Sequence, residues 1–114
     1  MPVATFAAPI LPGKTEAWKQ ATQEIAGSRK PEYEESRRRL GVTREIASLQ
    51  STPQGDFVVV CLEADEPDEI ISRILASGAP FDRWFAEAIL KGAHGIGGAQ
   101  EPPPPNQVFL DWKA

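Results

Sequence analysis

Phe57-Val58-Val59-Val60-Cys61-Leu62 is apolar at every position and mostly β-branched or aromatic, a composition that suits a strand buried on both of its faces. Successive side chains of a strand point to opposite sides, so Val58, Val60 and Leu62 share one face and Phe57, Val59 and Cys61 the other. Whatever fold the chain adopts must therefore cover both sides of this segment.

Working outward, Ser51 to Asp56 carries Pro53 and Gly55 and reads as the turn of a hairpin. Its other arm is Thr43 to Ser51, which alternates well enough for a half-buried strand. Upstream, Val3 to Ile10 is a first strand ending at Pro12-Gly13. A helix follows from Thr15, whose hydroxyl is placed to cap it, with Trp18, Ala21, Ile25 and Ala26 on one face. Gly27 and Pro31 interrupt it, and a second helical stretch runs to Leu40, with Tyr33, Ser36, Arg37 and Leu40 on one side and Gly41 as its stop, so that one kinked helix or two in tandem are expected. Downstream of the hairpin, Asp65-Glu66-Pro67 opens a helix with an Ile70, Ile71, Ile74 and Leu75 stripe. Pro80 opens another, with Phe81, Trp84, Phe85, Ala88 and Ile89 inward and Gly92 at its close. A glycine- and proline-rich connection then leads past Pro102–Pro105 to a last strand, Val108 to Trp112.

Strand-helix-strand-strand-helix-strand is the ferredoxin-like βαββαβ order, an α+β class with a four-stranded antiparallel sheet whose first and third strands are central. Its helices cover one face only. Because the third strand is apolar on both faces and the chain has no spare element, a second copy packed sheet to sheet is the economical cover. The expectation is a single domain over residues 1–114 acting as a homodimer.

The balance of the chain agrees with a globular protein: 41% hydrophobic and 25% charged residues over 114 positions. A net charge of −4 argues against an electrostatic grip on nucleic acid or anionic membrane. Cys61 is the single cysteine, which excludes an intramolecular disulfide and suits a reducing compartment. No apolar run approaches the roughly 18 residues of a membrane span, and Met1–Leu11 lacks the basic start of a signal peptide. A cytoplasmic location is expected.

Glu32-Tyr33, Ser36-Arg37-Arg38, Leu49-Gln50, Gly55-Asp56 and Phe81-Asp82-Arg83-Trp84-Phe85 followed by His94-Gly95 resemble an uncharacterised bacterial domain family of similar size. The element order and double burial resemble the dimeric α+β barrel superfamily, which includes cofactor-independent monooxygenases and haem-handling members. The resemblance implies the fold and a homodimer and passes on no catalytic residue.

Several motifs have a bland reading beside a functional one. Ala8 to Thr15 fits a relaxed phosphate loop, but Pro9 and Pro12 lack the N–H groups a phosphate cradle needs. Arg37-Arg38-Arg39 reads as a solvated face self-paired through Glu34–Arg38 and Glu35–Arg39. Arg37 is the exception, since it faces inward and needs an acceptor: Glu45, Glu63 or a bound anion. Asp65, Glu66, Asp68 and Glu69 are helix-start carboxylates without calcium-loop spacing. Cys61 reads as an inert buried thiol. His94, the lone histidine, is either structural or a general base or haem ligand at a pocket mouth. It has no companion for a zinc site; no metal and no cofactor are expected.

The rings of Trp18, Tyr33, Phe81, Trp84 and Phe85 leave room for an apolar cleft between helices and sheet. The leading expectation is a binder of a small apolar or aromatic ligand, lined by Tyr33, Arg37, Glu63, Trp84 and His94. The enzymatic alternative is a cofactor-independent monooxygenase or isomerase with His94 or Glu63 as its base. A purely structural or regulatory dimer is the third reading.

Overall fold

The computed structural model describes residues 1–98 and 101–114. Three strands, β1 (Val3–Pro9), β2 (Val42–Thr52) and β3 (Gly55–Ala64), form an antiparallel sheet in the order β1-β3-β2. The apolar stretch singled out above is thus the central strand. Phe6 pairs with Val60 and Ala47 pairs with Val60 from the other side, so Phe6, Val60 and Ala47 point to one face. That face is the core face, and Ala4, Phe6, Ala8, Val58 and Leu62 are buried on it.

Helices α1 (Thr15–Ala26) and α2 (Lys30–Arg39) follow β1 in tandem. After β3, a 3₁₀ turn at Pro67–Glu69 leads into α3 (Ile70–Ala76), and α4 (Pro80–Phe85) continues as a wider, π-type turn over Ala86–Lys91. Trp18 and Ala21 of α1, Ile70 and Ile74 of α3, and Phe81, Phe85 and Ile89 of α4 and its extension form one core with the sheet.

The sheet has three strands and not the four expected. Val108–Trp112 forms no strand, although Asn106 donates its N–H to the Thr5 carbonyl at 2.8 Å on the outer edge of β1. Pro102–Pro105 carry no N–H and so cannot build a ladder along β1, and Asn106 adds one rung before the chain leaves the edge. β1 is consequently an edge strand rather than a central one. Of the glycine- and proline-rich connection, Ala99 and Gln100 lie outside the described residues.

Two local expectations are also corrected. Thr15 does not cap α1; its hydroxyl donates to Asp56 Oδ2 at 2.6 Å, tying the start of α1 to the β2–β3 hairpin. The Glu34–Arg38 and Glu35–Arg39 pairs do not form. Arg39 instead reaches Asp82 at 2.7 Å, because a fully buried carboxylate offers more than an exposed helix neighbour.

The face of the sheet turned from the helices carries Phe57, Val59, Cys61 and Ile46 by the same alternation, with Ile46 and Val59 about 40% and 39% exposed. No described element covers it.

Candidate functional site

A cavity of about 460 Å³ lies between the helices and the core face of the sheet, within the ordinary size range of small-molecule sites. Its walls are largely apolar: Phe6, Val58, Leu62, Ile74, Phe85 and Ile89 among others. Ala26, Lys30, Glu34 and Ala47 also line it and are exposed, so its mouth lies between the α1–α2 junction and β2.

His94 contributes one polar group. The wide turn at Ala86–Lys91 draws the chain back under itself, with Gly92, Ala93 and His94 N–H groups donating to Glu87, Ile89 and Ile89 carbonyls. Leu11 N–H donates to Ala93 O at 2.8 Å, which pins this turn to the end of β1. His94 is only 4% exposed, and its Nδ1 lies 2.8 Å from Pro9 O. A carbonyl accepts only, so Nδ1 carries the proton and Nε2 holds the lone pair. Burial pushes the imidazole below its usual range, against a smaller upward pull from the Pro9 bond. The ring is neutral near pH 7, with Nε2 unengaged among the described residues.

A second polar centre is built from α2 and β2. Tyr33 donates its hydroxyl to Glu45 Oε1 at 2.7 Å, and Arg37 Nε donates to the same oxygen at 2.6 Å. The Arg37 guanidinium is sandwiched between the Tyr33 ring at 4.8 Å and the Phe85 ring at 4.5 Å. Burial, and then the Glu45 carboxylate, push the Tyr33 phenol far above its usual range, while Arg37 pulls it down. Tyr33 therefore stays a protonated donor. Behind this centre Arg37 Nη1 donates to Ser36 Oγ, which in turn donates to Asp82 Oδ1 at 2.5 Å. Burial would raise the Asp82 carboxyl, but bonds from Ser36, Ser77 and Arg39 outweigh it and hold it below the usual range. The network anchors α2 to the α3–α4 corner.

The two centres sit at opposite ends of the sheet. Pro9 pairs with Phe57 and Glu45 with Leu62, five residues apart along β3, a rise of roughly 16 Å.

Of the five residues expected to line the cleft, Tyr33 and His94 do so. Arg37 lies behind Glu45, which resolves its three possible acceptors. Glu63 is elsewhere: its position on β3 has the parity of Val59 and Cys61, so it faces the bare side, where it accepts from Thr43 Oγ1 at 2.9 Å. It is not among the residues that line the cavity. Trp84 also lies outside the cavity, because Phe81 and Phe85 occupy the inward side of α4; its ring packs at a 43° tilt against Phe81 and is capped by Arg29 at 4.0 Å. Glu45 is the residue that sequence reasoning underweighted. Its signal was its parity with Ala47 and Leu49 on the inward side of β2.

Among solved structures the chain is similar to the tetracenomycin F2 cyclase of Streptomyces glaucescens, a type-II polyketide cyclase. The match covers 100% of this chain and 99% of that one, at a TM-score of 0.58 and 20% identity. The two share an α+β fold. At this identity the likeness is one of fold alone. No family model and no curated protein matches the chain, so the narrower bacterial domain family receives no support. Among the described residues no helix is long and apolar enough to cross a membrane.

Proposed function

We propose that the protein is a homodimer that binds a small, elongated, largely apolar ligand in the cavity between helices and sheet, one per subunit. The observation that carries this reading is the cavity itself: about 460 Å³ with apolar walls, lined also by His94, Tyr33 and Glu45. The neutral Nε2 of His94 accepts a hydrogen bond from a phenolic or enolic hydroxyl. Tyr33 and Glu45 meet the ligand's other polar end, and Arg37 holds Glu45 in position. A flat hydroxylated polycycle satisfies both ends while filling the apolar walls.

A second reading is favoured by one detail. Fixing Nδ1 on Pro9 leaves Nε2 as an oriented base, the arrangement needed to take a proton from an acidic carbon of an enolisable substrate. On this reading the cyclase whose fold the chain shares is a guide to substrate chemistry, and the activity is a cofactor-independent isomerisation, cyclisation or oxygenation.

Both are tested by titrating a panel of hydroxynaphthalenes and hydroxyanthraquinones while following Trp18, whose ring lines the cavity. His94→Ala is expected to weaken binding by roughly tenfold or more, the worth of a hydrogen bond in a dry site. Turnover, where present, should disappear with it. Equal affinity of variant and wild type across the panel would rule out the site.

A further inference from the structure

We infer that the C-terminal arm, Val108–Trp112, crosses to a second copy of this chain and lies on the bare face of that copy's sheet. The proposal rests on the homodimer reading and names the segment that holds the dimer together.

Among the described residues, two apolar surfaces lack a partner. One is the arm: Phe109 is 92% exposed, Leu110 87% and Trp112 78%. So contiguous a set of large apolar side chains marks a contact surface rather than ordinary surface scatter. The other is the bare sheet face, with Ile46 and Val59 exposed and Phe57 and Cys61 half-buried. Each surface is what the other needs.

The arm does not cover its own sheet, although it is long enough. The bond from Asn106 N–H to Thr5 O at 2.8 Å holds its root against the outer edge of β1. From there the sheet is two strand spacings wide, roughly 10 Å, while Gln107 to Trp112 extends roughly 20 Å. The arm nevertheless stays off the face and leaves both surfaces bare. The proline run Pro102–Pro105 upstream is stiff, so with the Asn106 rung it fixes the point from which the arm departs. An arm rooted at an edge and directed outward is arranged to meet a neighbour. When two copies approach face to face, each root stands beside the other's sheet, and exchange of both arms closes the assembly about a two-fold axis.

The areas agree. Each arm offers two aromatic side chains of roughly 150–250 Å², together with Leu110 and Val108. Two arms and the strips of sheet beneath them reach the roughly 1,200–2,000 Å² of a stable interface.

The test has two parts. Light scattering compares the full chain with a chain ending at Gln107. Dimerisation is expected in the full chain and should weaken roughly 100-fold or more on truncation, as expected when aromatic anchors are lost. The Trp112 emission, obtained as the difference between wild type and Trp112→Phe, is then followed on dilution. A blue-shifted signal that turns red as the dimer dissociates supports the crossing. A blue-shifted signal independent of concentration means that the arm folds on its own sheet, and a red one at all concentrations means that it is free; either overturns the proposal. A truncated chain that dimerises as tightly as the full one overturns the arm exchange while leaving the dimer intact. A monomeric full chain overturns both, and the ligand titration above reports on the cavity independently.

Discussion

His94 owes its chemistry to a backbone carbonyl rather than to another side chain. With Nδ1 committed to Pro9 O, the tautomer is settled and Nε2 is a lone pair in an apolar cavity. Because burial lowers its pKa, the unfolded chain takes up a proton at a higher pH than the folded one. This contribution to stability is complete above the ordinary histidine value, near 6.5. It is lost as the pH falls through the lower folded value, and ligand affinity should fall over the same acid window. Arg37 and Glu45 pose a different problem at this scale, since both side chains are largely buried, 6% and 16% exposed. Arg37→Met leaves the carboxylate short of its charged partner and should destabilise the fold by about 3–5 kcal/mol, measured by urea unfolding. Arg37→Met with Glu45→Gln should recover part of that loss, and failure to recover any would mean that Arg37 acts through its packing on Tyr33 and Phe85.

At the scale of elements, the hairpin and the tandem helices were legible because their signals are local. A continuous apolar run gives β3, Pro53 and Gly55 give the turn, and Gly27 with Pro31 splits α1 from α2. The parity of β2 and β3 also carried the two faces of the sheet, and with them the exclusion of Glu63 from the cavity, but only once the register was known. The π-type turn after α4 was not legible, since the helical spacing of Phe85, Ala88 and Ile89 runs into it without a break. Its requirement for Gly92 is steric: a Cβ there would lie 2.7 Å from Ala88 O and 2.8 Å from Glu87 O. Gly92→Ala should therefore cost about 1–3 kcal/mol in thermal or chemical unfolding. It should also weaken ligand binding by displacing His94 two residues on. A variant as stable and as tight-binding as the wild type would show that the turn rewinds at no cost.

For the whole molecule, the fourth strand is where sequence and structure part. Val108 to Trp112 has the composition of a strand, and composition carries no information about whether a strand partner is within reach. Among the described residues there are three strands, a bare sheet face and an exposed apolar arm, which the proposed arm exchange would bring together. The cavity, by contrast, is lined by a single copy of the chain, with its mouth at Ala47 on β2 and Lys30 and Glu34 on α2. The most direct measurement of the cavity as a ligand site is a calorimetric titration of a dihydroxyanthraquinone into wild type and into Ala47→Trp. This substitution fills the mouth from an exposed strand position that tolerates a large ring. Saturable binding to the wild type, and affinity at least roughly tenfold weaker in a variant of unchanged stability, is the predicted result. Binding that is indifferent to Ala47→Trp would contradict it and move the ligand away from this cavity.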